Sequence, residues 1–253
     1  MPLELITLRC LQDNYAYLLH GPAGTALIDA PEAAPVLAAL QDRGWTLNAI
    51  WLTHHHADHI QAVGELVAQT GARVIGAAAD SHRLPPLDQA VRPGETHDLL
   101  GQPAHVIDAS GHTVSHVAYH LPQSGMAFTG DSLMALGCGR LFEGDAAMMW
   151  DSLTRLNALP DDTLICSGHD YCAANGAFAL SVDPDNQALK DRLAGTASGA
   201  LPCAPSSLQT ERDTNPFLRA GQLRDSLDMG GDDMGEATEM QVFAHLRRLK
   251  DAF

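Results

Sequence analysis

The chain has 253 residues, with 15 Lys and Arg against 31 Asp and Glu, a formal net charge of −16 and 13 histidines. Apolar residues at 45% suffice for a large core, while the acidic balance excludes a nucleic-acid phosphate backbone or an anionic membrane surface as the main partner. No run approaches about 18 apolar residues, and Met1–His20 lacks a basic, apolar leader, so a soluble, cytoplasmic protein is expected, with a monomer as the working unit.

Short β-rich runs dominate the first two-thirds. Strands are predicted at Leu3–Leu8, Tyr15–Leu19, Thr25–Asp29 and Leu47–Leu52, with helices at Ala33–Arg43 and Ile60–Thr70, the latter stopped by Gly71. Further strands follow at Arg73–Gly76, Thr96–Leu100, Ala104–Asp108, His116–Leu121 and Met126–Thr129. A helix is predicted at Asp145–Leu159 and a last strand at Thr163–Cys166. Beyond Tyr171 only helical spacing remains, at Ala173–Val182, Asn186–Leu193 and Glu239–Lys250, while the Gly- and Asp-rich Met229–Glu236 is expected to be a mobile loop. The pattern suggests a layered α/β domain followed by a small helical one. Cys10, Cys138, Cys166, Cys172 and Cys203 are scattered and odd in number, and are expected to be free, buried thiols.

The chemistry concentrates where Ala49–Leu52 runs into Thr53-His54-His55-His56-Ala57-Asp58-His59 and then a predicted helix. In extended chain, residues two apart share a face, so His54 and His56 can address one centre while His55 points away. Asp58 and His59, at the turn into the helix, can address a second. His112, Asp131 and His169 each follow a glycine and a predicted strand, where a tight turn would present the next side chain at a sheet edge. Five imidazoles and two carboxylates exceed what one tetrahedral zinc takes. They suit two ions about 3.5–4 Å apart, bridged by Asp131 and sharing a water acidified to hydroxide near neutral pH. The absence of thiolates fits a hydrolytic rather than a structural site. No G-x-S-x-G elbow is present for a covalent acyl-enzyme. Asp29, at a strand end, is either a turn residue or a partner orienting a ligand histidine. His20, His55, His82, His97, His105, His116, His120 and His245 are expected to be non-ligands, His116 and His120 as ordinary strand residues.

The set T-H-H-H-A-D-H, G-H-T, T-G-D and S-G-H resembles the metallo-β-lactamase superfamily. Gly137–Gly144 (GCGRLFEG), Gly168–Tyr171 (GHDY), Thr214–Arg219 (TNPFLR) and the terminal Leu246–Phe253 (LRRLKDAF) are similar to the glyoxalase II family, the hydroxyacylglutathione hydrolases, along essentially the whole chain. The resemblance implies an αββα metallo-β-lactamase-like sandwich over 1–170 and a small all-helical, glutathione-binding domain over 171–253. By position, it implies that His54, His56 and His112 hold one metal and Asp58, His59 and His169 the other, with Asp131 bridging. Asp58 and Asp131 would carry the catalytic role together with the metal-bound hydroxide. Arg140, Tyr171, Arg247 and Lys250 would contact glutathione. Phe142 stands where some members have a tyrosine, which removes a hydroxyl contact.

The activity implied is hydrolysis of S-D-lactoylglutathione to D-lactate and glutathione, the second step of methylglyoxal detoxification. The cofactor implied is two divalent ions per chain, with zinc the first expectation and iron or manganese also suited. The main alternative within the superfamily is a mono-iron glutathione persulfide dioxygenase. A phosphodiesterase or nuclease using the same cluster is opposed by the acidic charge.

Overall fold

A computed structural model describes residues 2–227 and 237–253; Met229–Glu236, the expected mobile loop, lies outside the described residues. Strands β1 (Glu4–Cys10), β2 (Asn14–Gly21) and β3 (Gly24–Ile28) pair antiparallel. Helix α1 (Ala33–Arg43) then leads to β4 (Leu47–Trp51), and α2 (Ala57–Ile60) and α3 (Val63–Thr70) lead to β5 (Arg73–Ala77). With β6 (Gln89–Val91), strands β4 and β5 extend the same six-stranded sheet in parallel. In the second sheet β7 (Thr96–Leu99), β8 (Gln102–Asp108), β9 (Val117–Leu121) and β10 (Met126–Gly130) are successive antiparallel neighbours. A two-stranded ribbon, β11 (Leu133–Met134) and β12 (Gly137–Cys138), and helix α4 (Ala146–Asn157) precede β13 (Leu164–Ser167), which joins β10 in parallel. The remainder is α5 (Cys172–Val182), α6 (Gln187–Ala197), β14 (Ser206–Ser207), α7 (Leu208–Thr214), α8 (Ala220–Leu223) and α9 (Glu239–Ala252). The expected C-terminal helices are present, and β14 adds a short antiparallel edge to the second sheet.

Period-2 alternation explains the layering. Tyr17, Leu19, Trp51 and Ile75 of the first sheet meet Val106, Tyr119 and Phe128 of the second in a core between the sheets. Their neighbours Ala16, Leu18, Ile50 and Leu52 turn the other way, onto Val36 and Leu40 of α1 and Val63 and Leu66 of α3. On the outer face of the second sheet, Ala118, Ala127 and Ile165 pack on Met149, Leu153 and Leu156 of α4 and on Val242, Phe243 and Leu246 of α9. Helix, sheet, sheet and helix therefore stack as expected for αββα. In both sheets the strands β4, β10 and β13 run parallel to a neighbour, and their C-terminal ends open at the same edge. Among the described residues no helix is long and apolar enough to cross a membrane.

Two local expectations are revised. The helix predicted over Ile60–Thr70 is two, α2 and α3, separated at Gln61–Ala62. The break lets the Ala62 backbone N–H bond the carbonyl of Ala30, and the Ala30 N–H bond that of His59. Gly71 does end α3, in the left-handed region at φ 70. The cysteines are not all free: Cys172, opening α5, and Cys203 form a disulfide with Cα atoms 5.8 Å apart. The spacing gave no C-x-x-C cue because the two halves are 31 residues apart and meet only through the packing of α5 and α6. Cys10, Cys138 and Cys166 are free and buried, and burial pushes the Cys138 thiol up to about 11.

A buried ionic knot fixes α6 and α7 to the loop after β11. Glu211, fully buried, accepts from Arg192 Nη2 at 2.5 Å, Ser206 Oγ at 2.5 Å, the Leu136 N–H at 2.9 Å and Asn215 Nδ2 at 3.1 Å. Glu211→Ala would leave the Arg192 charge buried and unpaired, and a loss of about 3–5 kcal/mol is expected in urea denaturation, with Glu211→Gln less damaging. For the disulfide, alkylation of the denatured chain is expected to label three thiols without reductant and five after reduction. Five in both cases would show the pair unjoined.

Candidate metal centre

The ends of β4, β10 and β13 and the loop before β9 deliver the seven residues expected to be ligands to one place. His54 and His56 leave β4 in extended chain, and Asp58 and His59 sit on the first turn of α2. His112 comes from the loop between β8 and β9, Asp131 follows β10, and His169 follows β13. Ligand atoms of His54, His56 and His112 lie within 4.8 Å of one another, as do those of Asp58, His59 and His169, and those of His54, His59 and Asp131. Asp131 also stands 3.4 Å from His112 and 3.3 Å from His169, so its carboxylate lies between the two histidine groups.

Two glycines make this convergence possible for different reasons. Gly130, at φ 48, adopts a turn that most side chains disfavour, and it lets the Asp131 N–H reach His116 Nε2 at 3.1 Å. Gly168 is needed for space rather than for a left-handed turn: a Cβ there would fall against Asp131 Oδ1 and 2.7 Å from His59 Cε1.

Four of the five imidazoles are oriented by an acceptor on the outer nitrogen. His112 Nδ1 donates to the Arg140 carbonyl at 2.8 Å, His59 Nδ1 to Asp29 at 2.9 Å, and His169 Nδ1 to Asp13 at 3.0 Å. Thr53 Oγ1 gives its own proton to Asp29 and accepts from His54 Nδ1 at 3.0 Å. When these rings are neutral, their inner nitrogens present lone pairs. They face other donor atoms closely, with His54 Nε2 3.2 Å from His56 Nδ1, His112 Nε2 2.9 Å from His56 Nδ1, and His59 Nε2 3.2 Å from His169 Nε2. Donors about 2.0–2.1 Å from a tetrahedral ion are about 3.3 Å from one another, so these separations suit a shared cation. Asp131 Oδ1 is buried with no hydrogen-bond partner, as a ligand oxygen would be.

The electrostatics match a ligand set. Burial, reinforced by neighbouring imidazoles, holds His54 well below the usual histidine range, and burial likewise lowers His56 and His112, so these are neutral donors. Burial opposes ionisation of Asp131, but His59 and His169 outweigh it and keep the carboxyl well below its normal range. The hydrogen bond from His169 does the same for Asp58. Burial works against charge on His169 too, yet Asp131, Asp58 and Asp13 push it up to about 11, and His59 is raised by Asp131 and Asp29. A divalent cation would take the place of those protons.

Some participants were not expected from the sequence. His116, treated there as an ordinary strand residue, is fully buried, stacks on His54 with ring centroids 4.7 Å apart, and holds the Asp131 backbone. Burial drives its pKa down to about 3, so it remains the neutral acceptor that this bond needs. Its spacing, four residues after His112, was the available signal. Asp13, in the turn between β1 and β2, and Asn14, the first residue of β2, look in the sequence like ordinary turn formers. Asp29 takes the orienting role, at φ 55, with Thr53 N–H and Oγ1 and His59 all bonded to its carboxylate.

The four residues expected to contact glutathione divide into two kinds. Tyr171 stacks on His169 with centroids 4.7 Å apart and rings 7° from parallel, and is 38% exposed. Burial and nearby carboxylates raise its pKa, keeping the hydroxyl a donor. Arg140 is exposed, beyond β12, and Lys250 donates to the Ala174 carbonyl at 2.8 Å in α5. Arg247 is buried, bonded to the Cys138 carbonyl at 3.0 Å and Asp251 at 2.8 Å. Burial, Arg247 and Arg140 together lower the Lys250 pKa, which marks a local cationic group. Phe142, 64% exposed, lies edge-on to His112 and His56 at 5.2 and 5.7 Å.

Comparison with known proteins gives the same picture. Residues 12–169 match the family model described as Metallo-beta-lactamase superfamily, and residues 170–253 match Hydroxyacylglutathione hydrolase C-terminus. The chain is 56% identical, over 100% of both chains, to a hydroxyacylglutathione hydrolase of Ruegeria pomeroyi. It is similar to the crystal structure of ETHE1 from Myxococcus xanthus, at TM-score 0.67 and 25% identity, covering 98% of this chain and 90% of that one. It is also similar to TTHA1623 in a di-iron-bound form, at TM-score 0.62 and 29% identity, covering 85% of this chain and 100% of that one. The chain belongs to the metallo-β-lactamase superfamily and, within it, to the hydroxyacylglutathione hydrolases.

Proposed function

We propose that the protein hydrolyses S-(2-hydroxyacyl)glutathione thioesters, converting S-D-lactoylglutathione to D-lactate and glutathione in the second step of methylglyoxal detoxification. The observation that carries this reading is the 56% identity, over the full length, to a hydroxyacylglutathione hydrolase. The enzyme is a metal-dependent hydrolase. His54, His56 and His112 would hold one divalent ion, Asp58, His59 and His169 a second, and Asp131 both, a reading supported by the two donor groups on either side of its carboxylate. Zinc is our first candidate, with iron or manganese compatible with the same donors. When bound, the ions supply Lewis acidity toward the thioester carbonyl and lower the pKa of water toward neutrality.

The chain's own residues account for the rest. Asp131, ionised and buried, neutralises the centre, and Asp58 adds a second carboxylate on the side open to solvent. Arg140 and Lys250 offer local cations to the two carboxylates of a glutathione derivative, and Tyr171 offers a hydroxyl donor beside His169. Arg247 adds its charge from beneath while fixing the Cys138 carbonyl next to Arg140. A thiolate is a good leaving group, so cleavage needs no proton donor of the protein. The same ligand set separates this reading from a mono-iron persulfide dioxygenase, which would have no use for Asp58, His59 and His169 as a second group.

Dialysis against a strong chelator is expected to abolish thioester hydrolysis, and a divalent metal to restore it, with two ions per chain by elemental analysis. A metal-free sample cleaving the thioester at full rate, or oxygen uptake with glutathione persulfide in its place, would refute the proposal. Arg140→Ala and Lys250→Ala are each expected to raise KM about 10-fold, about 1.4 kcal/mol, with kcat within about twofold, in steady-state assays.

A further inference from the structure

The two ligand groups differ in what lies behind them. In the His54–His56–His112 group the outer nitrogens of His54 and His112 meet neutral acceptors, the Thr53 hydroxyl and the Arg140 carbonyl. In the Asp58–His59–His169 group they meet carboxylates, Asp29 behind His59 and Asp13 behind His169. Asp58 is held as well: Asn14 Nδ2 donates to its Oδ2 at 3.0 Å and to its backbone carbonyl at 3.1 Å. Asp13 ends the turn between β1 and β2 and Asn14 opens β2, and this junction is docked onto the chain around His169. The Asp170 N–H bonds the Asp13 carbonyl and the Tyr15 N–H bonds the Gly168 carbonyl, each at 2.7 Å. Asn14 also forms a β-bridge with His169. A carboxylate accepting the outer N–H of an imidazole makes its inner nitrogen a stronger donor and fixes its direction.

We infer that Asp13 and Asn14 are positioning residues that make the Asp58–His59–His169 group the tighter of the two metal sites. The inference rests on the two-ion reading above and adds an order to it: the ion held by His54, His56 and His112 leaves first. Neither belongs to the donor groups themselves, and Asn14 Nδ2 lies 3.5 Å from His169 Nε2. Asp13 sets the ring of His169, and Asn14 sets the carboxylate of Asp58.

The test is metal content per chain, measured by elemental analysis on the zinc-loaded protein equilibrated with a graded series of chelator concentrations. The wild type is expected to lose its ions in two steps. In Asp13→Asn and in Asn14→Ala the later step is expected to move to at least 10-fold weaker chelation, within the 10–100-fold range of such outer partners, while the earlier step stays within about twofold. Asp13→Glu is expected to restore the later step in part, which a merely structural role of the turn would not require. If both steps move together, if only the earlier one moves, or if neither moves, the inference is overturned. Asp13→Asn preserves the size of the side chain, so it decides the matter should Asn14→Ala not fold. A wild-type chain that holds fewer than two ions would instead overturn the two-ion reading, and thioester hydrolysis by the loaded protein reports on the proposed function separately.

Discussion

An imidazole can point a lone pair into a crowded polar centre only if its other nitrogen has somewhere to leave a proton. That requirement organises the region around the metal centre. Four of the five ligand-type histidines satisfy it: His59, His112 and His169 with an acceptor from a different segment, Asp29, Arg140 and Asp13, and His54 with its neighbour Thr53. Each acceptor is itself fixed by backbone structure, so the rings are held from outside before any cation is bound. Without those acceptors, five imidazoles packed at these separations would compete for protons and repel one another once charged.

The αββα layering is what brings the acceptors within reach. Asp29 follows β3 and its carboxylate crosses to Thr53 and His59 beyond β4, its parallel neighbour. Arg140 arrives from the ribbon after β10, and its carbonyl meets His112 two residues on from the Cys138 carbonyl that Arg247 of α9 holds. The last helix is therefore tied to the chain two residues from the carbonyl that orients His112, in addition to carrying Lys250. A second clamp ties the loop of Phe142 to the first sheet: Arg83 bridges Asp80 and Glu143, and Glu143 accepts from the Val114 N–H at 3.0 Å.

The sequence exposed the seven candidate ligands because their spacing follows from strand geometry. His54 and His56 are two apart in extended chain, and His112, Asp131 and His169 each follow a glycine at a strand end. It exposed the strands through their short apolar runs, in which Tyr17 and Tyr119 follow the outward-facing Ala16 and Ala118. The partners were not visible because their work depends on tertiary contacts. Asp13 reaches His169 across 156 positions, and His116 is separated from ordinary strand histidines only by what lies against its ring. The Cys172–Cys203 pairing was hidden likewise, since sequence spacing carries no information about two helices folding back on each other. Gly168 was marked for the right position with the wrong cause: its missing Cβ makes room for Asp131 and His59.

The cationic group of Arg140, Arg247 and Lys250 has a consequence for how a dianionic substrate meets a chain of net charge −16. At physiological ionic strength the screening length is about 8 Å, so the overall negative field fades within a few water layers of the surface. The three cations act only inside that range, and Asp251, 2.8 Å from Arg247 and 3.9 Å from Arg140, offsets part of their charge. On the proposed reading, approach of such a substrate would be governed by ordinary diffusion and its capture by a short-range attraction, and moderate salt would mute the distant repulsion more than the local contacts.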